Sequence, residues 1–378
     1  MDDITLTVGG VNWTGWESLQ ASRSVDAMAG AFSLGLANRV QYGGAALPLS
    51  PGVDCVLACG ADTLVTGFID SVSQSLDSGR HGITVSGRDR SADIVDASAV
   101  HAPGSWKGAS LTDICSVLCA PFGVPVTLEG DQGQPFTAFQ IQPGESVAEA
   151  MQRLLKQREL VAMPDGKGGL RLARLAQETL SAVLQEGVNV LSASVTFDAS
   201  ARFSEYVVTG QKQGTDQDFG KACSVRATVT DEQITRYRPL VIRASQQGGA
   251  AYMHQRARWE MTTRRAEGTS VQVTVQGWRD SAGRLWEPGV LVPVHLPTLG
   301  ISQSLLIGEV TWTRDAGGTT TQLTLKDPAA WQPEPEAAQK STASGASSSS
   351  GSGTDWDLYV KQAEKAKAEG QKVKEVMA

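Results

Sequence analysis

The stretch Gly67–Ser98, GFIDSVSQSLDSGRHGITVSGRDRSADIVDAS, narrows what this chain can fold into more than any other. It predicts a strand, a tight turn, a second strand and then a capped helical turn. Asp77–Gly82 supplies turn residues, among them two glycines free to take positive φ. Ile83 and Val85 alternate with Thr84 and Ser86, the period-two pattern of a strand with one buried face. Gly87 closes that strand, and Ser91 caps a short turn carrying Ile94 and Val95.

The alternation recurs through residues 1–99. Ile4, Leu6 and Val8 run up to the Gly9-Gly10 turn, and Phe32, Leu34 and Leu36 repeat the pattern. Pro48, Pro51 and Gly52 make a loop, and Val53–Ala58 and Leu64–Ile69 flank the turn Gly60-Ala61-Asp62. Five or six short strands at this spacing predict a small barrel or sandwich.

Residues 100–178 change to an α+β pattern. Leu111, Ile114, Cys115 and Leu118 lie at helical spacing after Ser110, and Pro121 and Gly123 end that helix. Ser146 and Glu149 form a capping box ahead of the stripe Val147, Ala150, Met151, Leu154 and Leu155. Pro164-Asp165-Gly166 turns into the strand Leu170–Leu175. This helix–turn–strand unit resembles a LysM module, a glycan-binding fold; plain packing of a capped helix accounts for the same residues and is preferred.

Residues 179–331 return to strands: Val195–Phe197, Glu205–Gly210, Val225–Thr230, Leu306–Thr313, Thr321–Leu325 and, most regular of all, Val271, Val273 and Val275. Trp278 and Trp286 bracket a hairpin whose register they would pin. Pro288-Gly289 leads to Val290, Val292, Val294 and Leu296. One long helix, Ala250–Arg265, follows Gly248-Gly249. Its arginines Arg256, Arg258, Arg264 and Arg265 admit two readings. They form a salt-bridged face, with Glu260 four after Arg256, or a positive lining for a pore or for an acidic neighbouring subunit.

Residues 332–354 are a linker, stiff and acidic at Pro333–Glu336 and then almost pure Ser, Gly and Ala from Ser341 to Gly353. About twenty such residues span roughly 25 Å. Residues 355–378 open with Trp356, Leu358, Tyr359 and Val360, followed by strong helix formers from Lys361 to Glu369. Two readings stand for this segment: a tethered helix docking on a partner through Trp356, Leu358 and Tyr359, or a frayed tail.

The 378 residues suggest two or three domains, and a net charge of −7 argues against wholesale coating of nucleic acid. No apolar run reaches the ~18 residues that would span a bilayer. The acidic, strand-like start MDDITLTV is unlike a secretory signal, so the chain is expected to stay in the cytosol of the cell that makes it. Cys55, Cys59, Cys115, Cys119 and Cys223 are expected as buried reduced thiols rather than zinc ligands. His81, His101, His254 and His295 form no helical metal pair. Ser86 and Asp89 with His81 or His101 lack a Gly-x-Ser-x-Gly elbow. Asp216–Gly220 lacks the later ligands of a calcium loop, and no phosphate-binding glycine motif occurs. The expectation is a chain with no catalytic residues, no cofactor and no metal.

The run Gly87–Asp96, GRDRSADIVD, resembles the signature stretch of the baseplate hub proteins of contractile-tailed, Mu-like phages, related to the late control D-type proteins. Arg202–Tyr206 and the block joining Arg258-Trp259-Glu260 to the two-tryptophan hairpin extend the resemblance to about Trp331. It implies a mainly β fold with an α+β insertion: a tube-like barrel over 1–99, a second over 179–331, and three chains closing into a ring. It also implies a structural role, adapting a six-fold tail tube to a three-fold spike and leaving a channel through which DNA passes without specific binding. The implied partners are two further copies, the spike, the tube and other baseplate proteins, in a virion tail assembled in the host cytoplasm. Two rival readings are the hub of a phage-related secretion system and a cell-wall glycan-binding protein or hydrolase.

Overall fold

The computed structural model describes residues 4–37, 49–76, 81–211 and 224–335. The alternating segments form strands, but the two β regions do not close into two separate barrels. Their strands join one open sheet of thirteen. From edge to edge it runs Val190–Phe197, Thr269–Gln276, Gly318–Lys326, Ile301–Asp315, Ser18–Ser24, Ala31–Ala37, His81–Asp89, Asp62–Leu76, Asp54–Cys59, Ile4–Val8 and Val11–Trp13. Leu291–Leu296 pairs with the lower part of Ile301–Asp315 and carries the short strand Leu184–Gln185. The junction is the antiparallel pair of Ser18–Ser24 with Ile301–Asp315, which sets Ala21 opposite Trp312. Inward residues of both regions, Leu34, Leu57 and Val85 with Val273, Leu323 and Trp312, share one core.

Within this sheet one five-strand unit occurs twice. Its first copy is Ser18–Ser24, Ala31–Ala37, Asp54–Cys59, Asp62–Leu76 and His81–Asp89. Its second is Val190–Phe197, Thr269–Gln276, Leu291–Leu296, Ile301–Asp315 and Gly318–Lys326. In both, the first strand pairs with the second, the second with the fifth, the fifth with the fourth and the fourth with the third, all antiparallel. Both fourth strands have 15 residues. Each is bulged at the same place, between Ile69 and Ser71 and between Ile307 and Glu309; a bulge bends a strand and increases its twist. The turn that feeds each third strand also repeats. Gly52 N–H donates to the Ile69 carbonyl and Ile69 N–H to that of Val53, just as Gly289 N–H donates to Ile307 and Ile307 N–H to Val290. Both glycines sit at positive φ, 85° and 93°, where a side chain would be strained, which explains why Pro-Gly-Val stands at both turns.

The α+β insertion contains α1 (Ala92–Asp96), α2 (Leu111–Cys119) and α3 (Val147–Lys156). A three-stranded sheet of Val161–Pro164, Leu170–Ala173 and Val126–Leu128 packs with them. The predicted capping box forms: Glu149 N–H donates to Ser146 Oγ at 3.2 Å, and Ser146 N–H donates to Glu149 Oε2 at 2.8 Å. Leu111, Ile114, Leu118, Met151, Leu154 and Leu170 make its separate core. The turn Asp165–Gly169 fastens it to the main sheet, where Thr66 Oγ1 donates to the Gly166 carbonyl at 2.9 Å.

A buried charge cluster lies under that turn. Arg23 Nη2 donates to the carbonyls of Thr63 at 3.1 Å and Leu64 at 2.5 Å, and the guanidinium stands 5.3 Å over the Trp312 ring. The Asp89 carboxylate accepts from the N–H groups of Gly30 and Thr66. Burial pushes Asp89 up to about 6, against the pull of Arg23 and those two donors. The same burial pulls the Arg23 guanidinium down from its ordinary value.

Two outcomes are expected. Trp312→Ala should lower stability by about 3–5 kcal/mol, with strands of both units melting in one transition, as read by urea unfolding with hydrogen exchange. For Asp89 the folded-state pKa lies above the unfolded one, so the folded state binds the proton more tightly. Its contribution to stability therefore grows as pH falls through about 6 towards the ordinary carboxylate range and is lost as pH rises. The stability difference between wild type and Asp89→Asn, measured in urea at pH 7 and pH 5, should shift towards wild type at the lower pH; a difference that stays constant would refute this.

Candidate functional site

The long helix, α4 (Ala250–Glu267), starts at an extended Gly249. Tyr252, Met253 and Ala257 pack against Tyr206 and Val208 of a second three-stranded sheet, Ser224–Thr230, Glu205–Gln211 and Pro239–Arg243. The four arginines divide. Arg256 is buried: its Nε lies 2.8 Å from Glu334, its Nη1 lies 2.8 Å from Glu260, and its guanidinium covers the Trp259 ring at 4.4 Å. Arg264 donates to Glu260 at 2.7 Å and reaches the Ala201 carbonyl. Arg258 and Arg265 are exposed and, among the described residues, make no ion pair. One helix thus carries a salt-bridged inner face, as in the first reading, and two outward cations. The segment with Trp356, Leu358 and Tyr359, the linker beyond Pro335, Cys223 and Asp216–Gly220 lie outside the described residues; the start of the linker, 332–335, is described, and Glu334 there pairs with Arg256.

The thiols stand in two places. Cys55 and Cys59 lie in the main core and Cys115 and Cys119 in the core of the insertion, so no four of them face one point. Burial pushes Cys55, Cys115 and Cys119 up to about 12, which keeps them protonated and poor metal ligands. Among the described residues no cluster of His, Cys, Asp and Glu could hold a metal ion. An apolar groove with a polar rim runs between α3, α4 and residues 328–334, lined by Leu155, Leu160, Leu175, Trp259 and Trp331.

Among the described residues the sheet leaves several backbone edges open; Val11–Trp13 and Leu184–Gln185 are short ones, each with a single partner strand, and two longer edges stand out. Val190–Phe197 pairs only with Thr269–Gln276; Val190, Ala193 and Val195 pack partly against the core, while Leu191 is 57% and Phe197 67% exposed. Past Ile69, the strand Asp62–Leu76 keeps His81–Asp89 on one side and has no strand on the other. Unpaired strand edges template pairing with another chain, so this arrangement suits assembly. Periodicity alone places only Val195–Phe197 in a strand; the signal that would have exposed the repeat and its edges is the twice-written Pro-Gly-Val.

Comparison with known proteins covers the same ground. Residues 3–89 match the family described as Mu phage baseplate assembly protein GpP-like, N-terminal, and residues 91–174 match baseplate hub protein gp44-like, second domain. Residues 202–259 match tail protein NMB1110-like, third domain, and residues 249–334 match Mu phage baseplate assembly protein GpP, fourth domain. The baseplate hub protein gp44 of Escherichia phage Mu is 32% identical over 372 residues, 96% of this chain and 97% of that protein. The crystal structure of the 43 kDa tail protein of prophage MuSo2 from Shewanella oneidensis is 32% identical, with a TM-score of 0.78 over 88% of this chain and all of that one. The tail protein from Neisseria meningitidis MC58 shares the fold at 24% identity, with a TM-score of 0.70 over 88% of this chain and 98% of its own.

Proposed function

This chain belongs to the family of the phage Mu baseplate hub protein gp44 and is a structural baseplate hub of a phage tail, and from that premise we propose that three copies form a ring joining tube to spike. The observation that supports this reading is the repeated five-strand unit. Two units per chain in three chains present six similar faces to a six-fold tube of a contractile tail, while the ring keeps three-fold symmetry towards the spike. The hole passes DNA without gripping it, in keeping with a net charge of −7, since a strongly basic lining would hold the phosphates. Arg258 and Arg265 are the outward cations available to such a channel or to an acidic neighbour. The job rests on shape, with no reacting group, and assembly takes place in the host cytoplasm.

The segment from Trp356 anchors a partner, spike or tube, through Trp356, Leu358 and Tyr359. Deleting the residues after Gly353 should leave the urea melt of the rest unchanged and weaken virion assembly; full assembly by the truncated chain would remove that role. End-on electron micrographs of the purified protein should give a three-fold ring with a central hole. A solid particle without three-fold order would overturn the ring.

A further inference from the structure

How copies would join is written inside one chain. The first strand of the first unit, Ser18–Ser24, lies antiparallel against the fourth strand of the second unit, beyond its bulge. The reciprocal pair has no partner among the described residues: the first strand of the second unit, Val190–Phe197, and the fourth strand of the first unit beyond its bulge, Ser71–Leu76, are both open edges. A single chain cannot satisfy both with its own strands in the sheet order observed, because they stand at different places along one open sheet.

The repeat also sets the register. Ala21 pairs with Phe32, Phe32 with Gly87, and Gly87 with Ile69. Val195 pairs with Val271, Val271 with Leu325, and Leu325 with Ile307. Val195 is therefore the equivalent of Ala21. Gln74 lies as far beyond Ile69 as Trp312 lies beyond Ile307, so Gln74 is the equivalent of Trp312. Ala21 is opposite Trp312 within the chain. We propose that Val190–Phe197 of one copy adds to Ser71–Leu76 of the next as an antiparallel strand, with Val195 opposite Gln74 and Phe197 opposite Val72.

The burial pattern agrees. At the internal junction Ala21, Val310 and Trp312 are buried. At the open edges Val72, Ala193 and Val195 are only partly covered, and Phe197 is exposed. Adding the strand covers them and supplies the missing backbone partners. The contact is head-to-tail, so it closes a ring or propagates according to the rotation between units. This inference rests on the ring reading above and names the surface that makes it.

The test is a disulfide between copies. Residues directly opposite on antiparallel strands bring their Cβ atoms within about 4.5–5.5 Å, close enough to bridge with slight adjustment, whereas a one-residue offset puts them on opposite faces. The double variant Gln74→Cys with Val195→Cys, in the full chain, should oxidise to a covalent three-chain species. Gln74→Cys with Thr196→Cys should yield about tenfold less or lower. Phe197→Glu, at an exposed position, should keep the monomer fold by circular dichroism and weaken association in sedimentation equilibrium by about tenfold or more. If wild type sediments as a trimer but the first pair fails to link and Phe197→Glu associates normally, the edge pairing is wrong while the ring stands. If wild type is monomeric up to high concentration, the ring and this pairing fall together.

Discussion

The structure depends on the backbone pairing of Ser18–Ser24 with Ile301–Asp315. It joins residues from nearly opposite ends of the described chain. The entropy cost of closing so long a loop grows only slowly with its length, and burial of Trp312, Val310, Leu19 and Ala21 at the seam offsets it. Without this pair each unit would keep an apolar edge, and the shared core would split in two. Arg23 stands on the same strand, so its carbonyl ligands at Thr63 and Leu64 tie the seam to the first unit, beside the turn that holds the insertion.

Elaboration happens at turns, while the paired strands stay alike. In the first unit residues 25–30 connect the first two strands; in the second, residues 198–268 do so, and they carry α4 and the small sheet. The α+β insertion likewise follows the last strand of the first unit. Connections at a sheet's end tolerate long additions because they disturb no ladder hydrogen bond.

Much of the fold was legible in the residues. Ile4, Leu6 and Val8, and Val271, Val273 and Val275, alternate because one face of each strand is buried, and the structure buries those faces. The capping box at Ser146 and the helix after Ser110 form where local hydrogen bonding demands them. The run GRDRSADIVD pointed to the hub family, to which the chain belongs. The four arginines of α4 were less legible. Arg256 and Arg258 are alike in type and two apart, yet Arg256 is buried between Glu260, Trp259 and Glu334, the last far along the chain, and Arg258 is left in water.

By itself the sequence determined most of the strands and their buried faces, the caps at Ser110 and Ser146 and the family; it did not show the seam strand Ser18–Ser24, and the cap expected at Ser91 makes no side-chain hydrogen bond. The tertiary structure alone decided that two expected barrels are one continuous sheet, that its halves are two copies of one unit, and which edges remain open. The reason is physical. Period-two alternation and capping are local, so they are written within a few residues, whereas which strand lies beside which is set by backbone hydrogen bonds between distant segments that any alternating pair could make. Only the packing of the shared core chooses among those pairings.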